Sequence, residues 1–204
     1  RFVFYLFSCN TAEVLVLLIA GLAGLPAPLA ALPILWMNLV TDTFPALALA
    51  VEPADGDVMR RPPRDPHAAI LSRPFLLSVG LYAALITACT LGAYLIALRI
   101  LPVAHARTVA FQTLSLAQVF HLGNARSNTP VLSRDAITRN RWALAAMLLV
   151  IVLQLAAAYV HPLPMVLRLA VPNARDWLLI LPFSLAPAVI GQAVKLVRHA
   201  QAVE

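Results

Sequence analysis

Apolar residues follow one another along this chain in long blocks. They show neither the three-four spacing of a surface helix nor the alternation of a half-buried strand. A bilayer core about 30 Å thick is crossed by a helix of about 20 such residues. Six blocks suit that purpose: residues 2–23, 29–51, 75–98, 108–123, 142–160 and 177–197. The fourth is the shortest and the most polar. The pattern predicts an all-α fold, a polytopic membrane helical bundle with six transmembrane helices, in which residues 1–204 form one transmembrane domain.

The charges test that count. Membrane proteins concentrate Lys and Arg in their cytoplasmic loops. If the gaps are assigned to alternate sides, one side collects Arg1, then Arg60, Arg61, Arg64 and Arg73, then Arg126, Arg134, Arg139 and Arg141, then Lys195 and Arg198. The other side holds only Arg99, Arg107, Arg168 and Arg175. The richer side is read as cytoplasmic. Both termini then lie in the cytoplasm, which requires an even number of spans. The stretch Arg60–Pro66 carries three prolines, cannot be helical, and is expected to form an ordered cytoplasmic loop. Trp142 and Trp177 stand at span starts, where indole rings anchor to the interface.

Composition agrees. The chain is 61% hydrophobic and 12% charged, against about 45–50% and about 25% for a soluble domain. A net charge of +6 does not point to nucleic acid, because the arginines fall between apolar blocks. Cys9 and Cys89 lie inside apolar blocks and read as small packing residues. No charged n-region with a cleavage site follows Arg1, so no signal peptide is expected. The chain opens within an apolar block and is expected to be the C-terminal piece of a longer protein. No internal repeat is visible, which argues against a secondary transporter built from inverted repeats.

Two acidic residues change the picture. Seven of the nine acids fall in loops or at ends, whereas Glu13 and Asp42 fall mid-span. A charge at the bilayer centre costs roughly 2.5–3.5 kcal/mol on insertion scales, and such residues normally face the bundle interior on an ion or proton path. Asn10 and Glu13 are three apart and share a helix face; Asn38, Thr41 and Asp42 share another. The first two spans form a tight hairpin, so the two faces can meet. They offer two carboxylates, two amides and a hydroxyl, oxygen donors of the kind that hard cations such as Ca²⁺ take. The competing reading has both acids protonated and only hydrogen-bonded between helices. Pro45 removes a helical hydrogen bond and frees a carbonyl in the preceding turn. The second span is therefore expected to be locally unwound between Asp42 and Pro45. In the fourth span, Gln118 and His121 share a face. Gln118 can add an amide oxygen to the set, and His121 is expected to hydrogen-bond between helices. Gln154 in the fifth span reads as packing.

Leu35-Trp36-Met37-Asn38-Leu39-Val40-Thr41-Asp42, followed by Pro45-Ala46-Leu47-Ala48-Leu49, resembles the sixth transmembrane helix of P-type cation-transporting ATPases of the calcium-pump branch. Ser8-Cys9-Asn10-Thr11-Ala12-Glu13 resembles the cation-binding part of the fifth helix in that family. Met59–Pro66 is similar to the loop after the sixth helix, and His161-Pro162-Leu163-Pro164-Met165 to the segment after the ninth. The likeness covers essentially the whole chain, as helices five to ten. It implies an ATP-driven pump for a divalent cation, Ca²⁺ first, with Mn²⁺ and Mg²⁺ left open. Asn10, Glu13, Asn38, Thr41 and Asp42 match the family's cation-binding positions, and Gln118 stands nearest to the eighth-helix Glu of two-site pumps. A neutral Gln there implies one divalent ion per cycle. The chain carries no Asp-Lys-Thr-Gly-Thr phosphorylation motif and no catalytic residue. ATP and Mg²⁺ would act through absent domains, so the expected partners are the lipid bilayer and the N-terminal helices and cytoplasmic domains of the parent pump. The Ala-, Leu- and Arg-rich composition suggests a bacterial inner membrane. The alternative is a free-standing membrane module without ATP coupling.

Overall fold

The computed structural model describes residues 1–53, 71–126 and 140–201, with side chains to residue 197, and every regular element among them is helical. The Arg60–Pro66 loop and the basic residues Arg134 and Arg139 lie outside the described residues. Helix α1 spans Phe2–Leu22. It ends in a left-handed turn at Gly24 (φ +66°), where Leu25 N–H reaches back to the Ala20 carbonyl at 3.0 Å. Glycine takes that conformation without a Cβ clash, and the turn satisfies a terminal carbonyl while reversing the chain.

The return strand of this hairpin is one helix in three parts: α2 (Ala31–Trp36), a π-helical segment (Met37–Asp42) and α3 (Thr43–Ala50). The expected unwinding between Asp42 and Pro45 is absent. The backbone stays helical through Pro45, and the irregularity takes the form of a widened turn placed just before it. A π turn shifts bonding from the fourth to the fifth residue. Pro45 then falls in the first turn of α3, where a missing N–H and a fixed φ are tolerated.

Helix α4 (Arg73–Ile100) begins at Ser72, whose hydroxyl accepts from Phe75 N–H. Helix α5 spans Val103–Arg126, α6 Arg141–Tyr159, the short α7 Leu163–Val166 and α8 Ala174–Gln201. Helix α5 lies at the centre, packed by α8, α4, α6 and α1. From Thr108 to Val119 every one of its residues is buried, including Thr108, Gln112, Thr113, Ser115 and Gln118. Close approach depends on small residues. A Cβ on Gly191 of α8 would come within 2.6 Å of the Tyr82 ring on α4 and collide with the Asn124 amide on α5.

Inside and outside are inverted relative to a soluble protein. Leu148, Val152 and Leu155 on α6, and Leu178, Leu181, Leu185 and Val189 on α8, face outward. They recur at helical spacing and make apolar stripes that water would penalise and lipid would not. Among the described helices, five are long and apolar enough to cross a membrane: α1, the α2–π–α3 helix, α4, α6 and α8. The fourth predicted block, now α5, has the length but lacks the apolarity. Its position explains this. A helix surrounded by protein has no lipid face to satisfy, so polar side chains persist along it. The chain is an all-helical, multi-pass membrane bundle.

Candidate functional site

The hairpin brings α1 and the π segment face to face, and the two acids are clasped reciprocally. Glu13 on α1 accepts through Oε2 from Asn38 Nδ2 at 3.2 Å, across the hairpin. Asp42 on the π segment accepts through Oδ2 from Asn10 Nδ2 at 2.8 Å, back across it. The helical spacings anticipated this: Asn10 and Glu13 form one rung pair, Asn38 and Asp42 the other. From the bundle centre, Gln118 Nε2 on α5 donates to Glu13 Oε1 at 2.8 Å. Its other contact is the Cys9 carbonyl, at 3.5 Å.

Five of the six predicted residues thus make side-chain hydrogen bonds within the set, in two groups: Asn10 with Asp42, and Asn38 and Gln118 with Glu13. The sixth, Thr41, lies beside Asp42 with its hydroxyl fully buried. Glu13 and Asp42 are each 4% exposed and Gln118 is inaccessible, while Asn10 lies at the surface. An open cleft of about 520 Å³ reaches Asn10, Asn38, Asp42 and Thr43 between Leu6 and Leu47. Burial comes from three sides, and the fourth opens to this cleft.

The donor set has a consistent chemistry. Among the described residues, every hydrogen bond accepted by the two carboxylates comes from a neutral amide. Asp42 Oδ1, Thr41 Oγ1 and Gln118 Oε1 are buried and have no hydrogen-bond partner among the described residues. Such orphaned acceptors are expensive in a dry interior. All three are oxygens. No group of three His, Cys, Asp or Glu side chains gathers among the described residues. A cation held here would therefore be a hard one, taking amide and hydroxyl oxygens beside the two carboxylates. Half a turn of each amide exchanges its NH₂ for its carbonyl oxygen. Asn10, Asn38 and Gln118 can thus serve as hydrogen-bond donors to bare carboxylates or as oxygen ligands.

Sequence reasoning missed the part played by Tyr5. Pro45 has no N–H for the carbonyl of Thr41, four residues earlier. Tyr5 Oη, wholly buried on α1, donates to that carbonyl at 3.0 Å. The carbonyl freed by Pro45 is therefore held by a side chain, and the hydroxyl pins the π segment to α1. Pro45 signalled an orphan acceptor at Thr41; the donor's identity depended on which α1 residue lies opposite.

Two other expectations change. His121 was expected to hydrogen-bond between helices, yet neither ring nitrogen has a partner among the described residues. It sits instead among rings, 4.5 Å from Tyr82, 5.7 Å from Phe4 and stacked on Tyr5 at 6.1 Å. Aromatic rings on α1 and α4 converge there around the imidazole. Gln154, read as packing, has a partner: its Oε1 accepts from Trp36 Nε1 at 3.0 Å, tying α6 to α2.

Residues 26–197 match the protein family described as cation transporting ATPase, C-terminus. The chain is 38% identical over 192 residues to a calcium-transporting ATPase of Bacillus subtilis, covering 93% of this chain and 22% of that protein. It is 34% identical to calcium-transporting ATPase 1 of Bacillus cereus, over 96% of the chain and 24% of the relative. Against calcium-transporting ATPase type 2C member 2 of Mus musculus the identity is 32%, over 96% and 21%. The chain spans less than a quarter of the length of these relatives. With its helical bundle and acid-bearing hairpin, the chain belongs to the cation-transporting P-type ATPase family, as a calcium-pump-like C-terminal region.

Proposed function

We propose that this chain is the cation-binding and translocating part of an ATP-driven divalent-cation pump, with Ca²⁺ as cargo. The observation that carries the proposal is the company that Glu13 and Asp42 keep. Two buried carboxylates meet only neutral amides, so the site lacks a resident positive charge. A divalent cation supplies it. Asn10, Glu13, Asn38, Thr41, Asp42 and Gln118 are the ligands on this side, and the open cleft along Asn10 and Asp42 is where a further helix of the parent protein completes the shell. Mn²⁺ and Mg²⁺ accept the same oxygens. One ion moves per cycle, because Gln118 brings no third negative charge.

Helix α5, the fourth in order, is read as a span too, which brings the total to six and leaves both termini in the cytoplasm, and the membrane is the bacterial inner membrane. ATP and Mg²⁺ act through domains outside this sequence. Transport requires two states that differ in ion affinity. In one, the amides turn their oxygens inward and the acids share the ion. In the other, they donate N–H groups to the acids, as they do here, and the ion leaves. Protons can neutralise Glu13 and Asp42 on the return.

The test is Asp42→Asn in the full-length protein. Calcium-dependent phosphorylation should fall at least a hundredfold, about 2.7 kcal/mol, with the protein still inserted. Unchanged calcium dependence in that variant would sink the site.

A further inference from the structure

Ten residues beyond Asp42, the same helix ends in a second buried carboxylate that the transport reading does not use. Glu52 follows the C-terminus of α3, and its side chain is only 3% exposed. Arg126, at the end of α5 and equally buried, grips it. Nε lies 3.2 Å from Oε2 and 3.4 Å from Oε1, and Nη2 lies 3.3 Å from Oε1. Asn140 completes the cluster. Its Nδ2 donates to Glu52 Oε2 and to the Ala48 carbonyl, while its Oδ1 accepts from Ala143 N–H and so caps α6. Three helix ends thus meet on one charge pair.

The spacing gives this pair a role. Helices α3 and α5 lie side by side and run in the same direction. Asp42 stands eight residues above the end of α3 at Ala50, about 12 Å at 1.5 Å per residue, and Gln118 eight residues above Arg126, about 12 Å. At the upper level both helices are joined to α1, Asp42 through Asn10 and Gln118 through Glu13. At the lower level they are joined to each other by the ion pair. The two levels close a frame. Without the lower rung, α3 can slide or rotate against α5, and Asp42 and Gln118 lose their common register on α1. Apolar packing of Ala48 and Leu49 with Leu122 and Ala125, and the Tyr5 bond to Thr41, hold the helices together, and the ion pair adds a directional fastening at their ends.

Resting on the pump reading, we propose that Glu52, Arg126 and Asn140 form a latch of positioning residues that holds Asp42 and Gln118 in the geometry the cation needs. Breaking one side of a buried ion pair strands the other charge, whereas replacing both with apolar groups is often tolerated. The double variant Glu52→Met with Arg126→Leu therefore separates positioning from folding.

The experiment uses the full-length protein in membrane vesicles, with Ca²⁺ as the probe. The reading is the calcium concentration for half-maximal phosphorylation, which does not depend on how many molecules are folded. The double variant should raise it about tenfold. Each single variant that inserts should raise it by a similar factor, so that the two effects do not multiply, as expected for one coupled device. A half-maximal concentration unchanged in the double variant overturns the latch, even if the amount of phosphorylated protein falls. Multiplying single effects also overturns it. Asp42→Asn measured alongside keeps the two readings apart. If Asp42→Asn keeps its calcium dependence, the site is wrong; if only the latch variants do, the latch alone is wrong.

Discussion

Two carboxylates with buried side chains stand ten residues apart, one on the π segment and one just past the end of α3, and they live in opposite electrostatic company. Glu52 is matched by a guanidinium on a neighbouring helix end. Among the described residues, Asp42 accepts a hydrogen bond from a neutral amide through one oxygen and none through the other. Both are shielded from water, and both would be costly if left charged and alone. At Glu52 the chain supplies the counter-charge and makes the neutralisation permanent. At Asp42 the described residues place only a neutral amide; under the proposed function the counter-charge comes from outside and can leave again. A buried acid with a resident cation is a fastener. A buried acid surrounded by rotatable amides, with unused oxygens beside it, is a place for exchangeable charge.

The sharpest way to break this comparison is to make the same chemical change at both positions. Glu52→Gln removes the carboxylate that Arg126 grips and should destabilise the protein by up to about 3–5 kcal/mol. Asp42→Asn, in a chelator, removes a charge that had no counter-ion and should leave stability unchanged or raise it. Thermal unfolding of the full-length protein in detergent compares the two. Equal losses at both positions would show that Asp42 is a structural acid like Glu52. A smaller effect sharpens the same contrast. At a calcium concentration a hundred times its dissociation constant, the native protein should gain about 2.7 kcal/mol. Asp42→Asn should show no such gain, and Glu52→Gln should show it at a higher calcium concentration. Calcium stabilising Asp42→Asn as strongly as the parent would place the ion elsewhere.

The parts of this molecule that were legible in the sequence are those set by local periodicity. Apolar blocks gave five of the helices, and three-four spacing placed Asn10 with Glu13 and Asn38 with Asp42. Their meeting across the hairpin followed from the tight turn at Gly24. What escaped was set by neighbours distant in sequence. The polarity of α5 weakens its reading as a span, yet it reflects a central position that no local window reveals. Pro45 signalled a disturbed helix, but an unwound strand and a π turn relieve the same clash, and the choice rests on what can bond the carbonyl of Thr41. His121 looks like a hydrogen-bonding group until Phe4, Tyr5 and Tyr82 close around it. Glu52 read as a loop acid because Arg126 and Asn140 are 74 and 88 residues away.

The smallest expected effect bears on how the exchangeable site keeps its shape. Tyr5→Phe removes only the hydroxyl that caps the Thr41 carbonyl and keeps the ring that stacks on His121. One buried hydrogen bond is lost and one acceptor is stranded, worth about 1–2 kcal/mol. If the hydroxyl simply pins the π segment, the loss should be the same with and without calcium, because the bond exists in both states. If the carbonyl turns to the ion once calcium enters, Tyr5 releases it on binding, and the variant should then lose stability in chelator but bind calcium more tightly. Unfolding measured in both conditions separates the two. An equal loss makes Tyr5 part of the scaffold, on the side of Glu52 and Arg126; an unequal one adds the Thr41 carbonyl to the exchangeable set around Asp42.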